Sequence, residues 1–258
     1  MLPLRLGRLE VLRVVDLETP TSPRFLFDEM TREAMTPHVA WAAPHFYDPQ
    51  AHRLMLSIQT LVLRTRHHTI LVDTCLGNGK PRAYEGWNLR NGPYLDDLRR
   101  AGVAPGQVDF VLCTHLHVDH VGWNTRLDNG RWVPTFPNAK YIFARQELDF
   151  WRVAESQEEA QVFRDSVQPI LDAGLALPVA MDHTLTDEVR LEPTPGHTPG
   201  HVSVHLTSGG KEGVITGDMM HHPVQIAEPA WCCRFDTDKV QSERTRREFC
   251  ARYADRDV

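Results

Sequence analysis

The chain has 258 residues, of which 41% are hydrophobic and 24% are charged, a composition typical of soluble globular proteins. It excludes long disordered, collagen-like and coiled-coil structures. The 28 basic and 34 acidic residues give a net charge of −6, which makes nucleic acids and anionic membranes poor candidates for partners. No apolar run is long enough for a signal peptide or a bilayer span, which predicts a cytoplasmic protein. The five cysteines are odd in number and do not form paired C-x-x-C motifs, so neither a disulfide framework nor a structural zinc site is expected.

The first half of the chain predicts strands separated by two long loops and one short helix. Residues 19–52 contain five prolines, which predicts an ordered irregular loop of the kind that often covers a site. Residues 77–92 form a second such loop. A helix over residues 93–101 begins with Pro93 and ends before Gly102. Runs rich in Val, Ile, Leu and Thr predict strands at residues 9–15, 54–65, 69–73 and 109–114.

The second half of the chain alternates strands with longer helices. Asn129-Gly130 predicts a hairpin over residues 126–133, and Gly174 ends a mostly helical stretch over residues 146–173. Further strands are predicted at residues 141–144, 189–193, 201–206 and 213–216, and a last helix at residues 239–254. This order predicts an α/β layered fold of two packed sheets with helices outside, in a single domain over residues 1–258.

The strongest chemical signal directly follows the buried strand at residues 109–114. Thr114-His-Leu-His-Val-Asp-His120 places three imidazoles and a carboxylate within six residues. On extended backbone His115 and His117 project to the same side, and a turn then brings Asp119 and His120 over. Imidazole and carboxylate groups together suit zinc, with manganese, iron or cobalt as alternatives. Unrelated core or surface histidines rarely cluster in this way.

Two weaker motifs also follow predicted strands. Thr194-Pro-Gly-His197-Thr-Pro-Gly-His201 adds an imidazole, and Ile215-Thr-Gly-Asp218 adds a carboxylate that can bridge two cations. Each motif alone is compatible with an ordinary turn. Together with the first cluster they predict a shared metal centre.

In this order the three motifs resemble those of the metallo-β-lactamase superfamily of metal-dependent hydrolases, and the strand ending in Asp73-Thr74 matches another of its recurring elements. The resemblance implies an αβ/βα four-layer sandwich of two mixed β-sheets with outer helices, and a site between the sheet edges. It also implies two divalent metal ions, with Asp218 as the bridge. The implied ligands are His115, His117 and His197 for one ion and Asp119 and His120 for the other.

Two features depart from the family pattern. The family supplies a further metal-binding histidine on a strand after the last helix, and the sequence ends at Val258 before that strand. We therefore expect a domain without its C-terminal strand, or a weak second metal site, with substitution by His221 or His222 as an alternative. The acyl-homoserine lactonases have a tyrosine three residues after the bridging aspartate, where this chain has His221. The surrounding segment resembles the branch that includes methyl parathion hydrolase.

A few other residues have weaker predicted roles. The resemblance suggests that Asp73 orients a ligand imidazole, although a strand-end aspartate also suits a turn. His201 is expected to be structural. At most one or two of the residues Trp41, Phe46, Trp87 and Trp123 are expected to line an apolar pocket, because aromatic side chains belong more often to a core.

These observations predict a metal-dependent hydrolase that uses a metal-bridging hydroxide on lactones or other carboxylic esters. Asp119 and His221 are the candidate catalytic groups, His221 as a proton donor to the leaving group. Phosphotriester or aryl ester hydrolysis and β-lactam hydrolysis are alternatives at the same site. A mononuclear iron oxygenase and a metal-poor binding module are alternatives from other classes. The expected partner is a small-molecule substrate, and a homodimer is possible.

Overall fold

The computed structural model describes residues 3–153 and 156–258. The strands of its larger sheet are β1 (Leu4–Leu6), β2 (Leu9–Thr21), β3 (Tyr47–Asp48), β4 (Arg53–Arg64), β5 (Thr69–Val72), β6 (Phe110–Leu112), β9 (Lys140–Ala144) and β10 (Ala176–Val179). They lie in the order β1-β2-β4-β5-β6-β9-β10, with β3 paired to β4. The pairs from β1 to β5 are antiparallel and those from β5 to β10 are parallel. The sheet is therefore mixed.

A second sheet and a separate hairpin complete the β-structure described. The hairpin consists of β7 (Thr125–Asp128) and β8 (Arg131–Pro134). The second sheet consists of β11 (Thr184–Thr186), β12 (Val189–Pro193), β13 (Val202–Ser208) and β14 (Lys211–Ile215). These four strands are antiparallel and follow one another in chain order, as short connections favour.

The helices are short except for the last one. They are α1 (Arg32–Met35), α2 (Val39–Ala42), α3 (Tyr94–Arg100), α4 (Val118–Val121), α5 (Arg145–Arg152), α6 (Gln157–Val162), α7 (Gln168–Asp172), α8 (Val224–Ala227) and α9 (Lys239–Tyr253). A π-helical turn at Phe163–Val167 joins α6 to α7. Among the residues described, no helix is long and apolar enough to cross a membrane.

Alternating side chains of the larger sheet build two apolar layers. In β5, Ile70 and Val72 pack towards the second sheet, whereas Leu71 packs with the helices. In β9, Ile142 and Tyr141 divide in the same way. Because both faces of these central strands are covered, their sequences read as continuous apolar runs.

The last helix covers the outer face of the second sheet. On this face the Tyr253 hydroxyl of α9 donates to the Glu192 carboxylate of β12 at 2.7 Å, and the Thr245 hydroxyl donates to the Pro195 carbonyl at 2.6 Å. The layers therefore run helices, larger sheet, second sheet, helix. This arrangement confirms the predicted αβ/βα sandwich of two sheets with outer helices. The prediction that both sheets are mixed is wrong for the second one, whose strands are all antiparallel because short connections join them in chain order.

Two predicted segments differ in detail from the structure. Residues 19–52 are not irregular throughout, because β2 continues to Thr21 and α1, α2 and β3 follow. The predicted helix over residues 146–173 is divided into α5, α6, the π-helical turn and α7, and residues 154–155 of that prediction lie outside the described residues. The helix is interrupted before Pro169, which has no N–H to donate to the Asp165 carbonyl, and Lys80 Nζ donates to that carbonyl instead at 3.1 Å.

Candidate metal centre

The three motifs meet where strands of the two sheets end. The first motif follows β6, whose parallel neighbour β5 ends just before Asp73. The second follows β12 and the third follows β14 in the other sheet. Carboxyl ends of neighbouring parallel strands share one edge of a sheet, which is where ligands bind in many α/β proteins. The site therefore lies at one end of the sandwich.

Three imidazole nitrogens converge in the interior of this site. His115 Nε2 lies 2.9 Å from His117 Nδ1, which lies 2.8 Å from His197 Nε2. His115 and His197 are buried, and His117 is partly buried. The three ligand atoms lie within 4.8 Å of one another, close enough to bind a single ion.

The carboxylate of Asp218 lies between these three histidines and two others, His120 and His221. Its Oδ2 atom lies 3.9 Å from His115 Nε2 and 3.7 Å from His197 Nε2. The same oxygen lies 3.2 Å from both His120 Nε2 and His221 Nε2. One oxygen of Asp218 thus lies within 3.9 Å of four imidazole nitrogens.

Carboxylates behind the imidazoles fix which ring nitrogen faces the site. His197 Nδ1 donates to Asp236 Oδ1 at 2.9 Å, and His120 Nδ1 donates to Asp73 Oδ2 at 2.8 Å. Asp73 also accepts from the amide of Thr114 at 2.8 Å. Because the Nδ1 atom of each ring is held by a carboxylate, both Nε2 atoms point inward.

Burial keeps the three-histidine cluster in the form that binds a metal. Loss of solvent lowers the pKa of His115 and His117 well below the usual range, and the neighbouring imidazoles lower it further. Burial also lowers the pKa of His197, against the opposing effect of Asp236. A neutral imidazole is the ligating form, so these shifts favour cation binding at neutral pH.

The carboxylate side of the site has the opposite electrostatic character. Burial opposes the charged form of His120, but Asp218 and Asp73 outweigh it and raise the pKa well above its usual value. Burial likewise opposes ionisation of Asp218, yet His120 and His221 hold its pKa well below the usual range. Burial raises the pKa of Asp119. This side is therefore built to stabilise positive charge beside Asp218.

The chemistry of the donor set fits a divalent cation. His197 Nδ1 donates to Asp236, so its Nε2 lone pair faces His117 Nδ1 at 2.8 Å, and His115 Nε2 lies 2.9 Å from the same His117 atom, which brings three nitrogens of neutral imidazoles together. Such groups repel one another unless a cation lies among them. Nitrogen and carboxylate ligands together suit zinc, manganese, iron or cobalt.

The structure brings together all six residues predicted as metal ligands. Asp119 is the most peripheral, with Oδ1 3.8 Å from His120 Nε2. His221 Nε2 lies 3.2 Å from Asp218 Oδ2, a position that also suits a metal ligand. Burial lowers the pKa of the His221 ring, but Cys233 and Asp218 outweigh this effect and raise the pKa well above its usual value. His222 points elsewhere, with Nε2 on the carbonyl of Phe46 at 3.1 Å. The alternative that His222 substitutes as a ligand is therefore wrong.

Two residues that support the His197 ring were not predicted from the sequence. They are Asp236 and Arg246 of α9. Arg246 is fully buried, and its Nη1 atom lies 3.4 Å from Asp236 Oδ2 and 2.6 Å from Ser242 Oγ. Asp236 is 39 residues from His197 in sequence, and no local pattern links the two. The Asp-Thr-Asp segment before the last helix was the only available signal.

A cavity of about 1060 Å³ opens in front of the cluster. Near the metal-ligand candidates its walls include Phe25, Tyr84, Trp87 and Phe235, and Phe25 packs against each of the other three with ring centroids 5.3–5.9 Å apart. Among the four aromatic residues proposed from sequence, Phe46 and Trp87 line the cavity, whereas Trp123 stacks on Tyr94 in the core. The approach to the site is therefore largely apolar.

Comparison with known sequences identifies relatives of the chain. A family model described as "Metallo-beta-lactamase superfamily" matches residues 55–252. An "N-acyl homoserine lactonase" of a Bacillus species is 28% identical over 178 residues, covering 63% of this chain and 62% of the lactonase. The chain thus matches about three fifths of that relative's length. "Metallo-beta-lactamase domain-containing protein 1" of Xenopus laevis is 34% identical over 127 residues, covering 48% of this chain and 43% of its own.

Solved structures share the fold at low sequence identity. A probable metal-dependent hydrolase from Staphylococcus aureus superposes with a TM-score of 0.79 at 17% identity, covering 97% of this chain and 87% of its own. AidC, described as a dizinc quorum-quenching lactonase in complex with a product, gives a TM-score of 0.77 at 23% identity, covering 98% of this chain and 86% of its own. At these identities the likeness concerns the fold alone.

Proposed function

The chain belongs to the metallo-beta-lactamase superfamily of hydrolases, and we propose that it is a dinuclear metal-dependent enzyme that opens lactones or other carboxylic esters with an apolar acyl part. The observation that carries this proposal is Asp218 Oδ2 lying within 3.9 Å of four imidazole nitrogens. The lactonase relatives support the choice of a lactone as substrate. A single domain, a cytoplasmic location and a homodimer stay predictions.

The proposed ligands divide into two sets that share Asp218. His115, His117 and His197 would hold one ion, and Asp119 and His120 the other. Divalent cations bound there would supply Lewis-acid chemistry, by lowering the pKa of a water molecule and polarising the substrate carbonyl. The protein's own groups then orient the substrate and manage protons.

His221 is the proposed proton donor to the leaving alkoxide. Its Nε2 faces Asp218 at 3.2 Å, and the raised pKa of the ring means that it holds a proton near neutral pH. Its ring packs edge-on against Phe27 at 6.4 Å, which restricts its motion. Asp119 is only partly screened from solvent at the edge of the cavity and is the second proposed catalytic group.

The apolar wall of the cavity supports an ester with a hydrophobic acyl chain. Phe25, Tyr84, Trp87 and Phe235 come from separate segments and present rings rather than charges. Burying each additional methylene against such a wall contributes about 0.8 kcal/mol at most. Longer acyl chains should therefore bind more tightly.

A substrate panel tests the proposal. The metal-depleted protein is reloaded with zinc, manganese or cobalt and assayed on acyl lactones of increasing chain length, aryl esters, phosphotriesters and a β-lactam. We expect metal-dependent lactone opening, with kcat/KM rising with chain length. Phosphotriester turnover above lactone turnover, or activity without metal, would contradict the proposal.

Two histidine variants separate the proposed donor from nonspecific effects. His221→Ala should lower kcat about a hundredfold to ten-thousandfold, the usual contribution of a general acid, and metal content is measured alongside. His67→Ala removes an exposed imidazole in the turn between β4 and β5 and should leave kcat unchanged. Unchanged turnover in His221→Ala with metal intact would eliminate the donor role.

A further inference from the structure

A buried carboxylate on α5 contacts both loops that carry the histidine cluster. Glu147 is only 1% exposed. Its Oε1 accepts from the amide of Leu116 at 3.1 Å and from the indole nitrogen of Trp151 at 2.8 Å, and its Oε2 accepts from the amide of Gly200 at 3.0 Å. Both oxygens are thus used, each for a different loop.

The two backbone donors stand next to proposed metal ligands. Leu116 lies between His115 and His117, so its amide fixes the stretch that presents both rings. Gly200 lies three residues after His197, at the end of the second loop. A hydrogen bond from one carboxylate to each loop sets the separation of the two loops, and with it the distance between their imidazoles.

The second loop approaches α5 so closely that only glycine fits. A Cβ atom on Gly200 would lie 2.2 Å from the backbone nitrogen of Glu147 and 2.6 Å from its Cα, distances that real contacts do not reach. The approach brings the Gly200 amide within reach of the carboxylate. The glycine at position 200 therefore permits the close approach that this hydrogen bond requires.

Trp151 provides a third connection to the cluster. It follows Glu147 by one helical turn, so its indole N–H reaches back to the same carboxylate. Its ring packs edge-on against the His117 imidazole, with centroids 5.4 Å apart. Glu147 thus also fixes the surface on which His117 rests.

Glu147 has no cationic partner that would explain its burial. No lysine, arginine or histidine lies within 4.0 Å of its carboxylate in the described parts of the chain, and burial raises its pKa. A buried carboxyl group is costly, and here it is compensated by neutral hydrogen-bond donors, among them the amides of Leu116 and Gly200. An apolar side chain would fill the volume without holding either loop.

We propose that Glu147 is a positioning residue of the metal centre, which holds the Leu116 and Gly200 amides so that the nitrogens of His115, His117 and His197 converge on one ion. The inference rests on the proposed function, because it takes these histidines as ligands. Glu147 does not touch the ion or the substrate. Its effect is on metal affinity and coordination geometry.

The test compares metal binding by Glu147→Gln, Trp151→Phe and the wild type. Glutamine keeps one acceptor but turns an amide donor towards one of the loop N–H groups. The zinc dissociation constant, measured by chelator competition, should rise about tenfold to a hundredfold, as for other groups that orient metal ligands. Trp151→Phe removes one N–H donor and keeps a ring beside His117, so a smaller rise is expected. The visible spectrum of the cobalt-loaded protein should shift in Glu147→Gln.

Asp149→Asn is the matched control. It removes one carboxylate from the same helix, where Asp149 is exposed and pairs only with Arg152 in the ion pairs described. The control should bind zinc as the wild type does, and unfolding of the chelated proteins reports general stability. If Glu147→Gln does not fold, the zinc affinity and cobalt spectrum of Trp151→Phe decide.

The outcomes separate the two proposals. A wild type that binds no zinc contradicts the proposed function. Zinc binding by the wild type, with the same affinity and cobalt spectrum in the Glu147 variant, overturns the positioning role alone. A change in stability of the chelated protein without a change in metal affinity also overturns it, because it assigns Glu147 to the fold.

Discussion

Two clusters of titratable side chains in the described part of the protein differ in how their hydrogen-bond donors and acceptors are matched. The metal cluster consists of His115, His117, His120, His197 and Asp218, and in it three imidazoles whose pKa is lowered turn ring nitrogens towards one another. The ion-pair cluster, Lys80, Arg82 and Asp165, surrounds one carboxylate with donors. The nitrogens of the first group converge with no donor among them, whereas in the second an arginine and a lysine surround one carboxylate.

The carboxylate of the ion-pair cluster is surrounded by donors from the chain itself, although one buried donor, Arg82 Nε, has no partner in the described residues. Arg82 binds Asp165 in a fork, with Nη1 2.7 Å from Oδ2 and Nη2 2.9 Å from Oδ1. Lys80 Nζ lies 3.3 Å from Asp165 Oδ1, 2.8 Å from Thr125 Oγ1 and 3.8 Å from the centre of the Trp132 ring. These contacts join the loop 77–92 to the π-helical turn and to the β7–β8 hairpin.

Burial and charge therefore do not distinguish a functional site from a structural one. The distinction lies in the balance of donors and acceptors. A cluster whose donors match its acceptors stabilises the fold and requires nothing from outside. A cluster of convergent acceptors requires a cation, and Asp236 leaves the Nε2 atom of His197 free to bind one because it accepts the Nδ1 proton.

The largest expected effect comes from removing the charge at the centre of the metal cluster. Asp218→Asn replaces the oxygen that four imidazoles face with a neutral amide. We expect the metal content to fall and kcat/KM to drop about a thousandfold or more, since both proposed ions lose a shared ligand. Metal analysis of the purified protein and steady-state kinetics with excess zinc measure the two effects.

Asp96→Asn is the control for this variant. Asp96 is an exposed carboxylate on α3, paired with Arg99 at 2.7 Å. It should retain the metal content and kinetics of the wild type. Full metal content and activity in Asp218→Asn would remove the contrast between the two clusters.

The fold and most of the metal cluster could be predicted because their signals are local. The first motif is contiguous after a buried apolar strand, so its residue types and spacing alone indicate a metal site. The role of Asp73 was suggested by the family resemblance and not by a local pattern, and Asp73 Oδ2 lies 2.8 Å from His120 Nδ1. The alternation of strands and helices predicted the layered fold.

The supporting residues could not be predicted because their contacts are distant in sequence. Glu147 accepts from an amide 53 residues away and another 31 residues away, and Asp236 is 39 residues from His197. Nothing beside these residues indicates such partners. The short helices α1 and α2 were missed for a related reason, since four residues are too few to show helical periodicity.

The next largest effect should come from breaking the ion-pair cluster, and it should appear in stability rather than in metal binding. Asp165→Asn leaves Lys80 and Arg82 buried without a negative charge. Removing one member of a buried ion pair costs about 3–5 kcal/mol. Urea unfolding followed by tryptophan fluorescence should show a loss of this order, with the zinc dissociation constant of the folded protein unchanged.

Asp128→Asn provides the comparison for this loss. It breaks an exposed pair with Arg126 on the β7–β8 hairpin, where both side chains are 47% exposed, and should cost less than about 1 kcal/mol. Equal losses in the two variants, or weaker zinc binding in Asp165→Asn, would show that the clusters are not separate.

The smallest expected effect is a dependence of stability on pH that originates in the ion-pair cluster. Burial lowers the pKa of Lys80 to about 7, although Asp165 opposes this shift. The carboxylate facing Lys80 does not titrate near that pH, because Arg82 and Lys80 lower the pKa of Asp165 although burial opposes its ionisation. Above pH 7 the folded protein therefore releases a proton that the unfolded chain retains up to about pH 10.

Because the unfolded chain then binds more protons, raising the pH favours the folded state. Between pH 7 and pH 9 the free energy of unfolding of the wild type should rise relative to Lys80→Met by up to about 1.4 kcal/mol per pH unit. Unfolding is measured with chelated protein, since metal binding has its own pH dependence. The difference between the two proteins isolates Lys80 from other groups that titrate in this range. Parallel pH profiles would mean that Lys80 remains charged in the fold, and that the ion-pair cluster contributes no pH dependence of its own.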